Sequence, residues 1–326
     1  MALISDRFDI LVDAHFDGKT ELTIWRTIEI RRGIGMPRLF VEDKSEGLPL
    51  PNRPLPIKIR FRHFDIYYID HFVISFLHSN QQIFNRATKL DLIVWLSKND
   101  VQLILDVFAY KIWPIFAASI RHLRIDDGDH LDNLRRRISP TILTDLDQLN
   151  SIFSADLLPD VIAGDGPNET AGQALSKWLH TPRKDGQPKR LRCFDSSYSS
   201  NLDWVNNFKE AFRRATTSVA YNIQIIFYKT TTPIEPFELV NKLTKEKLTL
   251  VEDEDGVGDE VISDWRLKRY PISEKAVADQ WENDQNWDAN LNKVTFHLWD
   301  GTNNCTGPLS PSAEEEKEEA DESYEK

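Results

Sequence analysis

Strand-like pieces return along the middle of this 326-residue chain at intervals of about thirty residues. They occupy Lys58 to Tyr67, Lys89 to Leu96, Ile120 to Ile125, Leu149 to Phe153, Arg190 to Phe194 and Tyr221 to Tyr228. Taking Leu92, Leu123, Ile152, Leu191 and Ile223 as markers, successive gaps are 31, 29, 39 and 32 residues. That interval leaves room for one helix between strands, and a strand, crossover helix, strand succession favours parallel pairing. The period lies near the upper edge of leucine-rich repeats. With no phosphate-binding glycine run after any of these strands, the pattern predicts an α/β fold: a degenerate leucine-rich-repeat-like curved solenoid of strand–helix units. An ordinary doubly wound sheet is the alternative.

The intervals contain helical patterns. Leu202, Val205, Phe208, Phe212 and Ala215 share one face, with Asn201 placed to cap the start and Arg213 and Arg214 suiting the end of the helix dipole. A second helix is expected from about Asn168 to His180, with Pro182 as its stop. The stretch from Val101 to Ala118 is apolar almost all round, which predicts deep burial, and Pro114 should interrupt it. The 39-residue gap holds Gly164 to Pro167, a loop insertion.

The flanks read differently. Glu21 to Ile30 alternates like a strand, with Arg38 to Val41 as a short partner. The run LPLPNRPLP reads as a rigid linker. Beyond the repeats, Phe237 to Asn241 and Glu246 to Val251 flank a turn like a hairpin, and Trp265 to Tyr270 and Val294 to Trp299 supply two further strands. Together these four predict a C-terminal antiparallel β cap. The expected organisation is therefore an N-terminal segment over 1–47, a Pro-rich hinge over 48–56, an α/β repeat-like body over 57–230, an antiparallel β-rich part over 231–309, and a disordered acidic tail over 310–326.

At the N-terminus, Leu3, Ile4, Phe8, Leu11, Val12 and Phe16 recur at helical spacing opposite Ser5, Asp6, Asp9 and Asp13. The segment ALISDRFDILVDAHF resembles the end of the F-box in nematode F-box proteins, particularly a large family of plant-parasitic cyst nematodes. The pieces KIWPIFAASIRHLRI, TAGQALSKWLHTP, KRLRCFD, NNFKEAFRRATTSV and PFELVNKLTKEKLTL are similar to parts of the body of the same family. The resemblance implies a non-enzymatic substrate receptor of a ubiquitin ligase, whose body binds a target protein. It also implies that an F-box recruits a Skp1-type adaptor. On this reading Leu3, Ile4, Phe8, Leu11 and Val12 form the face of an F-box remnant. The family's two preceding F-box helices are not in this sequence, so the alternative is a free-standing binding or decoy protein that has lost adaptor docking.

Charge narrows the partners. Formal net charge is −12, and residues Ser312 to Lys326 supply −6 of it. An acidic chain lacks the positive surface that nucleic acid or an anionic membrane requires, so neither is an expected partner. Basic clusters are local, at Arg135 to Arg137 and around a Gly/Pro turn at Arg183, Lys184, Lys189, Arg190 and Arg192. They read as solvated faces or as sites for an acidic partner. Ser310 and Ser312 are candidate phosphorylation sites that would deepen the charge of the tail.

No nucleophile elbow, P-loop or zinc spacing occurs in the sequence, so no catalytic, cofactor or metal residue is assigned. His71 and His78 lie seven apart without further ligands. The acidic run Glu252 to Glu260 fails as a calcium loop, because Val251 and Ile262 stand where ligands are required. Two cysteines, Cys193 and Cys305, without a signal-peptide pattern, place the expected compartment in the cytoplasm or nucleus.

Overall fold

The computed structural model describes residues 24–34, 36–41, 46–51, 53–55, 60–85, 88–95, 98–195, 202–228, 234–252, 262–274 and 292–299. The chain divides into two units, Met1–Ser119 with Leu291–Lys326, and Ile120–Asn290. Both are mixed α/β.

In the first unit, β1 (Ile24–Arg31) pairs antiparallel with β2 (Arg38–Val41), which pairs with β3 (Leu48–Pro49). On its other side β1 runs parallel to β4 (Arg60–Ile66). The proline-rich run expected as a hinge thus contributes an edge strand, a position where a missing N–H costs no ladder bond. The strands before and after it belong to one sheet. β5 (Thr88–Trp95) does not adjoin β4. Between them lies Asn292–Trp299, β13 in chain order, parallel to both, with Phe296 level with Ile66 and Leu92. This corrects the expectation that Val294 to Trp299 joins the C-terminal antiparallel cap. A strand whose Val294, Phe296 and Leu298 are all buried fits a central position, covered on that face by helices.

Those helices are α1 (His71–Ser79), α2 (Gln81–Phe84), α3 (Lys98–Val107) and α4 (Trp113–Phe116). Asp70 caps α1 by accepting from the Val73 N–H at 2.9 Å. A π-helical turn, Phe108–Ile112, separates α3 from α4. Its closing bond runs from the Trp113 N–H to the Phe108 carbonyl, and Pro114 falls in the first turn of α4, where a missing N–H is tolerated. One side of the segment is buried through Ile104, Phe108, Ile112 and Phe116. Leu103 and Tyr110 are exposed, so it is less enclosed than its composition suggests. Its buried aromatics meet the sheet edge-on, with Phe296 5.3 Å from Phe108 and 6.0 Å from Phe116, and Phe84 of α2 does the same 5.3 Å from Phe64.

In the second unit, β6 (Ile120–Ile125), β7 (Ser151–Ala155), β8 (Lys189–Asp195) and β9 (Tyr221–Tyr228) lie side by side in sequence order, all parallel. The markers Leu123, Ile152, Leu191 and Ile223 are direct partners across this array. The interval in the sequence is thus a lateral register in space. The crossovers are α5 (Gly128–Arg137) with α6 (Ile142–Asp145), α7 (Ala171–His180), and α8 (Leu202–Arg214). Thr170 and Gln173 form a capping box at the start of α7, satisfying two backbone donors reciprocally. Arg135 is not part of a solvated face. It is buried, and its guanidinium donates to the carbonyls of Pro140, Gly166 and Glu169 as well as to Asp132, which ties down the Gly164 to Pro167 insertion.

Beyond β9 the sheet continues antiparallel through β12 (Ile262–Pro271), β11 (Glu246–Glu252) and β10 (Phe237–Asn241). This is the expected antiparallel addition without its fourth strand. Asn241 serves both sides of the junction. Its amide donates to the carbonyls of Phe212 and Ala215 at the end of α8, and its oxygen accepts from Leu243 and Thr244 in the hairpin turn. At the same level, the buried Arg269 donates to Glu246 through Nε at 3.0 Å and Nη2 at 2.6 Å. Glu246 also accepts from the Val219 N–H at 2.7 Å.

Two stability outcomes follow. Glu246→Ala leaves the Arg269 charge buried and unpaired and is expected to cost about 3–5 kcal/mol in urea unfolding. Pairing it with Arg269→Met should recover part of that loss. Phe296→Ala removes a buried ring seated between two others and is expected to cost about 3–5 kcal/mol by the same measurement.

Candidate functional site

The F-box remnant face, Leu3, Ile4, Phe8, Leu11 and Val12, lies outside the described residues, as do Cys305, Ser310, Ser312, the acidic tail and most of the acidic run after Glu252. His71 and His78 both fall on α1. Among the described residues no group of three or more His, Cys, Asp or Glu is placed to hold a metal ion.

Much of the described chemistry gathers on the sheet faces opposite the helices, partly open and partly enclosed, with Thr295 and Asp91 buried. In the second unit, alternation along each strand sends Leu191 and Cys193 inward, and Arg190, Arg192 and Phe194 outward. Lateral register then lines up Arg124, Phe153, Arg192, Gln224 and Arg266 in one row, and His122, Ser151, Arg190, Asn222 and Lys268 in the next. Phe153 lies between two guanidiniums, with Arg124 at 4.7 Å from its ring centre and Arg192 at 6.0 Å. Arg124 is oriented by Asp126 at 2.8 Å, and Gln224 by Asp264 at 2.6 Å. Arg192 is exposed, while His122 and Ser151 are buried against each other at 3.0 Å. The basic cluster that the sequence placed around a turn is thus split by the fold. Arg183 pairs with Asp185, Lys184 pairs with Asp147, Lys189 turns inward, and Arg190 and Arg192 reach the open face.

In the first unit the corresponding row is Glu29, Asp65, Thr295 and Asp91 across four adjacent strands. Each carboxylate has its own base: Arg31 on Glu29, His297 on Asp65 at 3.3 Å and Lys293 on Asp91 at 3.1 Å. Tyr67 stacks flat on His297, ring centres 4.4 Å apart. Burial alone would raise the Asp65 carboxyl. The His297 and Thr295 hydrogen bonds and the charges of His297 and Lys293 together outweigh it and hold the carboxyl below its usual range. The row is an ion-paired strip rather than a pair of like charges poised for acid–base work. Sequence reasoning missed it because Thr295, which stands between Asp65 and Asp91, lies more than 200 residues beyond either.

Titratable groups also collect under the helices of the second unit. Lys189 donates to the Trp178 carbonyl and lies 4.9 Å from its indole. Burial, with the nearby Arg183 charge, pulls the amine down to about 8. Tyr221 is pushed up to about 12 by burial, against the opposing pull of Arg269. His180 is held below its ordinary value, first by burial. The Ser176 carbonyl works against this, while the charges of Arg269 and Lys189 add to it. These shifts are what enclosure imposes on groups joined in a network. A nearby apolar hollow lined by Trp204, Ile225, Phe227, Leu250 and Trp265 is too small for more than a water-sized group.

The chain matches no protein-family model and no curated protein sequence. No helix among the described residues is long and apolar enough to cross a membrane.

A lowered folded pKa at His180 sets a sign. Below the unfolded value near 6.5 the unfolded chain takes up a proton that the folded chain refuses, so stability falls as pH drops through that value towards the folded pKa. The urea midpoint is therefore expected to fall between about pH 7.5 and pH 5.5, and His180→Leu should flatten that dependence. An unchanged slope in the variant would show that His180 is not responsible.

Proposed function

We propose that this chain is a non-enzymatic protein-interaction module, similar to the substrate-recognition part of an F-box ubiquitin-ligase subunit. Its α/β array is a degenerate leucine-rich-repeat-like solenoid, and target binding lies on the open sheet face. The observation that carries this reading is the one-sided array of the second unit. Four parallel strands follow one another in sequence order, without the reversal of strand order that builds a ligand crevice in doubly wound sheets. Their inward residues are mostly apolar, with Lys189 and Ser154 enclosed among them, and their outward residues include arginine, glutamine, asparagine, phenylalanine, histidine and serine. Side chains held at fixed strand spacing make a broad recognition surface of the kind repeat folds present. Aromatic and arginine side chains are the types that carry most interface energy.

The test is affinity purification of the tagged full chain from cells, scored for two partners at once. A receptor of F-box type should bring down a Skp1-type adaptor together with a target protein. Recovery of a target without the adaptor identifies a free-standing binding protein. Failure to retain any protein partner under conditions that hold known receptors removes the proposal.

A further inference from the structure

We propose that the row Arg124–Phe153–Arg192 on the open sheet face of the second unit is the anchor for a short, extended polypeptide segment rich in aspartate or glutamate. The inference rests on the reading that this face binds a protein target, and it names the chemistry of that target.

Charge is the first argument. The outward row holds Arg124, Arg192 and Arg266, and its neighbour holds Arg190, with Lys268 buried beside it. Among the described residues, Asp126 engages Arg124 and Asp264 engages Gln224. The formal −12 is supplied by Glu252 to Glu260 and Ser312 to Lys326, at −6 each, so the remainder of the chain is neutral overall and this strip is a local excess of positive charge. A carboxylate-bearing segment finds complementary charge along this strip, which gives register as well as affinity.

Geometry is the second. Phe153 between two guanidiniums holds their planes near one ring, so part of the arginine entropy is already lost before a ligand arrives. Guanidiniums so held present paired N–H donors to a carboxylate in bidentate geometry. The four strands from β6 to β9 span about 14 Å, the reach of some four or five residues of extended chain. The same figure argues against nucleic acid. A long polyanion needs a positive surface that extends with it, and this strip is short.

The experiment titrates the full-length protein with a fluorescent hexaglutamate peptide, a hexaglutamine control and a single-stranded hexanucleotide, at about 50 mM and about 200 mM salt. Hexaglutamate should bind, lose affinity at the higher salt, and exceed both other probes. Arg192→Glu should weaken it about tenfold or more, while Arg192→Lys, which keeps the charge without the fork, should weaken it by a smaller factor. Phe153→Ala should weaken it by about threefold to tenfold, because the arginines lose their shared support. Arg213→Glu, an exposed change on α8, should leave affinity within about twofold, and unchanged urea midpoints check that each variant folds. No hexaglutamate binding, tighter binding of the oligonucleotide, or indifference to Arg192→Glu would each overturn the assignment. If a cellular target is still retained by the Arg192→Glu protein, the interaction-module reading stands and only this location fails.

Discussion

The ion pair between Arg269 and Glu246 fixes how the second unit changes from parallel to antiparallel pairing. Glu246 opens β11, Arg269 lies near the end of β12, and both are enclosed. A charge so placed is tolerable only when its partners are complete. Completion comes from the chain between α8 and β9, where the Thr217 carbonyl accepts from Arg269 and the Val219 N–H and Ser218 hydroxyl donate to Glu246. Three segments thus have to arrive together. The pair adds little to net stability over an apolar substitute, but a shifted pairing of β12 or β11 would strand both charges, so it selects one register.

The same region shows what sequence patterns can convey. The strands Ile120–Ile125 and Tyr221–Tyr228 were legible to the residue, because short β-branched runs bounded by polar turns have few other uses. The markers spaced along the chain turned out to be lateral neighbours, since successive parallel strands with similar crossovers repeat the same offset. β13 was equally legible as a strand and illegible in position. Its alternation reports one covered face, and nothing in six residues says that the cover is Phe108 and Phe116 or that the neighbours are β4 and β5. Sequence separation of this order removes the local cues on which pattern reading depends.

Polar residues were harder to place than apolar ones. Arg135, Arg136 and Arg137 look alike in sequence, yet Arg136 is exposed and Arg135 is 4% exposed among three carbonyls. The difference arises because Arg135 faces the loop insertion and the turn at Pro140, whose carbonyls accept from its guanidinium. Lys189 and Arg190 diverge for a simpler reason: successive residues of a strand point to opposite faces. A run of charge in a strand is therefore divided by the fold into an enclosed half and an open half, whatever its composition suggests.

That division ties the recognition surface to the buried network. Arg190 and Arg192 face outward only because Lys189, Leu191 and Cys193 face inward. Lys189 is kept inward by the Trp178 carbonyl and indole rather than by apolarity. A one-residue slip of β8 would bring both arginines under the helices and expose Leu191. The cost of burying unpaired guanidiniums there exceeds what the displaced lysine would regain, so the open face keeps its basic character through the packing beneath it. Binding chemistry on one side of the sheet and hydrogen-bond completion on the other are consequences of a single register.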